Sequence, residues 1–243
     1  MNFTFPAVSM SFFSVLKDQI YECLIKENRY MYIVTGLGNT LLITVFAVLI
    51  GVVLGTLVAL VKTAHQNDPK KMRVPNAICS VYLTVIRGTP VLVQLMIMYY
   101  IIIVGTAIND IGTAILAFGI NSGAYVAEVI RSGIMSVDRG QTEAGRSLGL
   151  SQRTTMVKIV FPQAVKNVLP AIGNEFISLL KETSVAGYIG IQDLTKGGDV
   201  IRSITYQPYL PLLATAAVYL VIVIALSALL SKAERRMRRS DYR

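Results

Sequence analysis

IVTGLGNTLLITVFAVLIGVVLGTLVALV, residues Ile33 to Val61, holds no charged side chain. A helix rises about 1.5 Å per residue, and crossing the hydrocarbon core of a bilayer takes about 20 mostly apolar residues. The stretch exceeds that length, so it predicts a tilted transmembrane helix and makes this a membrane protein. Within it, Gly51-x-x-x-Gly55 is a strip on which a neighbouring helix could approach closely, although two glycines turned to lipid would read the same way.

Working outward, four more apolar stretches follow: 78–104, interrupted by Arg87-Gly88-Thr89-Pro90; 111–130; 164–180, unusually polar for a span; and 209–230. The expected fold is therefore an all-α polytopic membrane protein with about five transmembrane helices. Composition agrees. Of 243 residues, 53% are hydrophobic and 15% charged, where a globular domain carries roughly 25% charged residues; the mean hydropathy is +0.58. Two distant cysteines, Cys23 and Cys79, exclude a disulfide scaffold or a cysteine-based zinc site, and a lone His65 argues against histidine-driven catalysis. No catalytic constellation and no metal site are expected.

The net charge of +9 is a topology signal. Basic loops stay on the cytoplasmic side. With the N-terminus outside, segments 62–77, 131–162 and 232–243 fall inside and hold fifteen Lys and Arg residues, against six in the outer segments. This predicts an outside N-terminus and a cytoplasmic C-terminus, and it removes nucleic acid as a partner. The tail, 233–243, anchors on anionic lipid in this reading. Residues 1–32 lack the basic start and long apolar core of a cleaved leader. Phe12, Phe13, Leu16, Ile20, Leu24 and Ile25 recur at helical spacing, which fits an amphipathic helix on the outer interface or a plain helical lead-in.

The charged stretch between the third and fourth spans reads QTEAGRSLGLSQRTTMVKIVFP, Gln141 to Pro162. Asp138 or Thr142 could cap a helix there, with Glu143 near its positive end, Gly149 stopping it and Ser151 capping a second. The local expectation is a small helix–turn–helix on the cytoplasmic side; a surface loop that touches nothing is the alternative.

Glu143-Ala144-Gly145-x-x-x-Gly149, nine residues, then Ile159-x-Phe161-Pro162 resembles the EAA loop of ATP-binding-cassette importer permeases: Glu-Ala-Ala, three residues, Gly, nine residues, Ile-x-Leu-Pro. Gly145 replaces the second Ala and Phe161 the Leu; Gly145 weakens helix propensity by about 1 kcal/mol. Gly36-Leu37-Gly38-Asn39-Thr40-Leu41, Arg87-Gly88-Thr89-Pro90, Asn121-Ser122-Gly123-Ala124-Tyr125, Gly173-Asn174-Glu175-Phe176 and Lys181-Glu182-Thr183-Ser184 resemble the polar amino-acid uptake subfamily, the histidine, glutamine and arginine permeases among them. The resemblance implies a type I importer permease fold over 33–232, with a coupling loop at 138–161. In it Glu143, Ala144, Gly145, Arg146 and Gly149 would meet a cytoplasmic ATPase dimer. It also implies a second permease subunit, identical or paralogous, and an external amino-acid-binding protein, in a bacterial cytoplasmic membrane. The chain has no phosphate-binding Gly-x-x-x-x-Gly-Lys-Ser/Thr loop. ATP and Mg would sit on the partner, with no cofactor on this chain.

Polar groups inside a span are costly and tend to face the bundle interior or a wet cavity. Gln163, Asn167, Asn174, Ser178 and Lys181 share one stripe of the fourth span, with Pro170 on it and Glu175 beside it. Counting along each span puts Gln94, Asn121, Ser122, Asn174 and Glu175 at one depth, near the bilayer midplane. That placement suits a substrate site open to each side in turn. Glu175 would meet the amino group or cationic side chain of a polar, preferentially basic, amino acid, while Asn121, Gln94 and Asn174 supply hydrogen bonds. Alternatively Glu175 pairs with a basic residue such as Arg87, or faces another subunit. Arg87 is expected to hold Glu128 as a structural ion pair, a gate being the other reading. A stand-alone secondary transporter or channel would leave the loop at 138–161 unexplained, and a purely structural protein would leave the midplane cluster without purpose.

Overall fold

The computed structural model describes residues 12–238. Arg239 and Arg243 of the tail lie outside them, as do the side chains of Phe12, Phe13 and Arg238. In chain order the helices are α1 (Phe12–Ile20), α2 (Tyr30–Asn67), α3 (Arg73–Gly88), α4 (Val91–Ile97), α5 (Asp110–Met135), α6 (Arg139–Ser147), α7 (Gln152–Thr155), α8 (Phe161–Glu182), α9 (Leu194–Thr205) and α10 (Leu210–Arg238). Wider turns at Tyr21–Ile25, Met98–Ile102 and Met156–Val160 extend α1, extend α4 and join α7 to α8. Residues 12–25 are thus helical, in line with the lead-in expected there, until a kink with positive φ at Glu27 and Asn28 redirects the chain into α2.

Among the described residues three helices are long and apolar enough to cross a membrane: Tyr30–Gln66, Asp110–Met135 and Leu210–Met237. A fourth candidate is broken. Arg73–Gly88 and Val91–Ile102 meet at 111°, so the interrupted stretch at 78–104 is not one straight span. Pro90 causes the break. It has no N–H to continue α3 and holds the extended backbone from which α4 starts. Helix α8, the fourth expected span, has 22 residues, which is about 33 Å, but it is too polar to qualify by composition.

The architecture is set by where backbones touch. A Cβ on Gly51 would meet Ser122 at 2.8 Å, and one on Gly55 would meet the Gly123 carbonyl and Val126 at 2.8 Å. One on Gly119 would meet Ile50 at 2.8 Å. The contacts advance together along both chains, so α2 and α5 run parallel, pressed together on small residues. Gly51 and Gly55 therefore face a helix, not lipid. Ile43, Ala47, Val48, Leu95, Ala114, Ala117, Phe118 and Leu179 close the core around this seam. Helix α8 returns antiparallel along α5, with Gly133 against Val168 at one end and Ser122 against Glu175 further along.

Nearer its N-terminal end, α2 receives the segment that precedes α9. Asn39 Nδ2 donates to the Gln192 carbonyl at 2.9 Å, the Leu194 amide donates to Thr40 Oγ1 at 3.1 Å, and Gly36 lies against the Asp193 carbonyl. Fully buried Asp193 caps α9 through the Thr195 and Lys196 amides. Burial pushes its carboxyl above the ordinary carboxylate range, and those amides draw it partly back.

Candidate functional site, a membrane permease

Four of the residues expected at one depth form two pairs. Asn121 and Ser122 are adjacent at the centre of α5 and almost completely buried. Asn121 Nδ2 donates to Gln94 Oε1 at 2.9 Å, and Ser122 Oγ donates to Glu175 Oε1 at 3.0 Å. Gln94 reaches back across the break in the second stretch. Its amide donates to the Ile86 carbonyl at 2.7 Å, the Thr89 carbonyl at 3.0 Å and Thr89 Oγ1 at 2.8 Å. A helix end leaves its last carbonyls unpaired, and Gln94 satisfies those of α3 while handing its own carbonyl oxygen to Asn121. Its amide hydrogens are engaged within the chain. Gln94 is thus a clasp that ties the α3–α4 corner to α5.

Glu175 is half-buried, and among the described residues no Lys or Arg pairs with it. Its recorded partner is the Ser122 hydroxyl. Arg87 is engaged elsewhere: Nη1 lies 3.6 Å from Glu128 Oε1, and its guanidinium sits 5.8 Å from the centroid of the Tyr125 ring. Arg131 approaches the other oxygen of Glu128 at 3.1 Å. Asn174, next to Glu175, projects from the exposed side of α8, without a hydrogen-bond partner among the described residues. Gln163, Asn167 and Lys181 are exposed on the same stripe, and α8 passes through Pro170 without a break. Asn174 and Lys181 on this stripe of α8 are turned away from the body of this chain.

Two cavities, of about 840 and 740 Å³, open beside the Arg87–Glu128 pair and share both residues. The second reaches α8 at Lys166, Asn167 and Pro170, where Asn167 Nδ2 donates to Ser136 Oγ at 2.9 Å.

The loop at 138–161 folds into two short helices. Asp138 caps α6 by accepting from the Gly140 amide at 2.8 Å, and Ser151 caps α7 by accepting from the Thr154 amide at 3.2 Å. Glu143 lies beyond the first turn of α6 rather than in it, because the helix begins at Arg139. The turn between them needs φ +78 at Gly149, the left-handed region that glycine enters at no steric cost. Gly145 is buried, and a Cβ there would meet Thr155 Cγ2 at 2.8 Å and Ile159 Cδ1 at 2.9 Å. Its departure from Ala fits this packing, since larger side chains from α7 and the following turn fill the space. Glu143, Ala144 and Arg146 are exposed around it, and Arg146 Nη1 donates to the Leu150 carbonyl at 3.1 Å.

Sequence reasoning passed over Leu148, an apolar side chain 80% exposed at the tip of this unit. A lone leucine between Ser147 and Gly149 in a charged loop was the available signal. It also passed over the docking role of Asn39 and Thr40, whose partners lie more than 150 residues away.

Residues 51–239 match the model of a family described as the binding-protein-dependent transport system inner membrane component. The chain is 35% identical over 221 residues to a putative glutamine transport system permease protein of Rickettsia bellii, covering 90% of this chain and 99% of that protein. It is 36% identical over 212 residues to the arginine transport system permease protein of Bacillus subtilis, covering 86% and 94%. Among solved structures it superposes with a TM-score of 0.78 and 41% identity on a chain of an amino acid ABC transporter crystallised with histidines, covering 94% of this chain and 99% of that one. With the family match spanning most of its length, the chain belongs to the binding-protein-dependent transport system inner membrane components.

Proposed function

We propose that this permease carries polar amino acids, basic ones preferentially, across a bacterial cytoplasmic membrane, and that Glu175 meets the positive charge of the substrate. The similar proteins named for glutamine and arginine transport support the substrate class. The observation that carries the reading is the state of Glu175. A carboxylate withdrawn from water tends to neutralise itself or to acquire a positive partner, and this one has only the Ser122 hydroxyl. Arg87, the alternative partner that the sequence offered, is engaged by Glu128 and Tyr125. A substrate ammonium or guanidinium supplies the positive partner, with Asn121 and the exposed Asn174 flanking it and Gln94 holding the corner in place.

In this reading α8 crosses the membrane, which makes five spans if the broken pair counts as one. Its outward polar stripe then faces a second permease subunit, so that a pathway forms between them. The N-terminus lies outside and the C-terminus inside. The α6–α7 unit docks on an ATPase dimer through Glu143, Ala144, Arg146 and Leu148, while Gly145 and Gly149 shape it. ATP and Mg act on that partner, and an external binding protein delivers the substrate.

The test is uptake by the complete transporter reconstituted in vesicles. Glu175→Gln is expected to reduce arginine and histidine uptake at least about tenfold, the loss of one charge-assisted contact, and glutamine uptake less. Arginine and histidine uptake unchanged in Glu175→Gln would refute the role assigned to this carboxylate.

A further inference from the structure

The larger of the two cavities, about 840 Å³, carries more positive charge than this chain balances. It is lined by Lys62 and His65 from the last turns of α2, Ser80 and Arg87 from α3, and Glu128 and Arg131 from α5. Glu128 is its single carboxylate and already serves two guanidiniums, at 3.6 and 3.1 Å. Lys62 Nζ donates to the Ser80 hydroxyl at 2.9 Å and pairs with no carboxylate among the described residues. His65 turns Nδ1 to the Lys71 carbonyl at 2.8 Å, which makes that nitrogen the proton carrier and leaves Nε2 without a recorded partner. Three permanent cations thus share one anion in a recess at the edge of an apolar bundle, where uncompensated charge is expensive.

Depth narrows the choice of counter-ion. Arg131 lies about 13 Å past the centre of α5 along its axis, toward the end that leads into α6. That is close to the edge of a hydrocarbon core about 30 Å thick, the level at which phospholipid phosphates begin. On α3, Val74, Ile78, Val81 and Val85 are more than half exposed. They leave an apolar surface on the helix that also bears Ser80 and Arg87. We infer that this cavity binds a phosphate-bearing anion, with Lys62, held by Ser80, as the principal charged ligand, His65 as a hydrogen-bonding partner, and Arg87 and Arg131 beside it on Glu128. An anionic phospholipid headgroup and free phosphate share this chemistry. Basic pockets between helices on the cytoplasmic side are known to suit the former.

His65 is the only histidine in the chain, so its imidazole is an unambiguous probe. The full-length protein, free of any polyhistidine tag and ¹⁵N-labelled at histidine, is placed in phosphatidylcholine nanodiscs. Replacing part of that lipid with phosphatidylglycerol is expected to shift the His65 Nε2 resonance saturably. Lys62→Gln should need about tenfold more phosphatidylglycerol, one charge-assisted hydrogen bond being lost, and Lys62→Arg should restore much of the response. If inorganic phosphate shifts the resonance in pure phosphatidylcholine and phosphatidylglycerol does not, the site holds as one for the free anion. No shift with either, or an identical response in Lys62→Gln, overturns the site. The measurement involves neither transport nor an amino acid, so its failure leaves the role of Glu175 untouched, and the reverse also holds.

Discussion

Helices α5 and α10 are both long and apolar, yet they are used in opposite ways. The most apolar stretch of α10 has a mean hydropathy of 2.6 and is 6% buried, whereas that of α5 has only 1.4 and is 61% buried. In a soluble protein the order would be reversed. In lipid the solvent is itself apolar, so apolarity gives no reason to face inward; close packing and hydrogen bonding decide instead. Helix α5 brings Gly119, Gly123, Ser122 and Asn121 to the interior, where they admit the α2 backbone and hold Gln94 and Glu175. Helix α10 offers Leu213, Leu220, Val221, Ile224 and Leu229, all exposed with respect to this chain.

The sharpest way to break this contrast is to add bulk to the seam. Gly55→Leu drives its Cβ against the Gly123 carbonyl, a backbone atom that has no rotamer to escape into. Overpacking of this kind costs about 1–3 kcal/mol where side chains can yield, and more against backbone. The expected result is loss of the monodisperse peak in detergent size-exclusion chromatography. By contrast, Leu220→Ala on α10 should leave that peak and uptake unchanged; an equal loss from both would remove the distinction between the helices.

A smaller effect is expected where α5 is polar. Ser122→Ala deletes the hydroxyl that donates to Glu175 while keeping the Cβ that packs on Gly51. With one hydrogen bond worth about 1 kcal/mol, the half-saturating substrate concentration for uptake should rise about fivefold while the folded yield holds. A fall in yield equal to that of Gly55→Leu would mean that Ser122 packs helices and does nothing more.

Smallest of all should be Gly145→Ala in the α6–α7 unit. Its new Cβ meets Thr155 Cγ2 at 2.8 Å and the far end of the Ile159 side chain at 2.9 Å, so these side chains, not backbone, must move to admit it. A fall of about twofold in substrate-stimulated ATP hydrolysis is expected, given the opposing gain in helix propensity, and Thr155→Ser in the same chain should recover it by removing Cγ2. An unrecovered or much larger loss would place the fault at the partner interface instead of in the internal packing.

How far these features were legible differs from residue to residue. Asp138, Gly149 and Ser151 act within a few residues of themselves, so capping and turn chemistry could be read directly from the string. The break at Arg87-Gly88-Thr89-Pro90 was visible as an interruption, but its angle was not, since Pro90 dictates that α3 stop and says nothing of where α4 goes. Counting along helices brought Gln94, Asn121, Ser122 and Glu175 to one depth. It could not say that Gln94 spends its amide hydrogens on α3, because that depends on the corner folding back. The five-span count rested on length and apolarity, and α8 shows what these leave out: Asn174 and Lys181 look outward from this chain while Glu175 and Asn167 turn to α5, a division that no hydropathy window contains.

By itself the sequence determined that the chain lives in a membrane, which stretches are apolar, and that a capped, glycine-turned unit interrupts them. These follow from local composition and from interactions a few residues long. Tertiary structure alone decided which apolar helix is central, that Glu175 has a hydroxyl and, among the described residues, no cation for company, and that Arg87 and Arg131 share one carboxylate while Lys62 beside them has none. Each of these depends on which distant helices approach one another, and that is settled by the contact of glycine-thinned backbones across the α2–α5 seam.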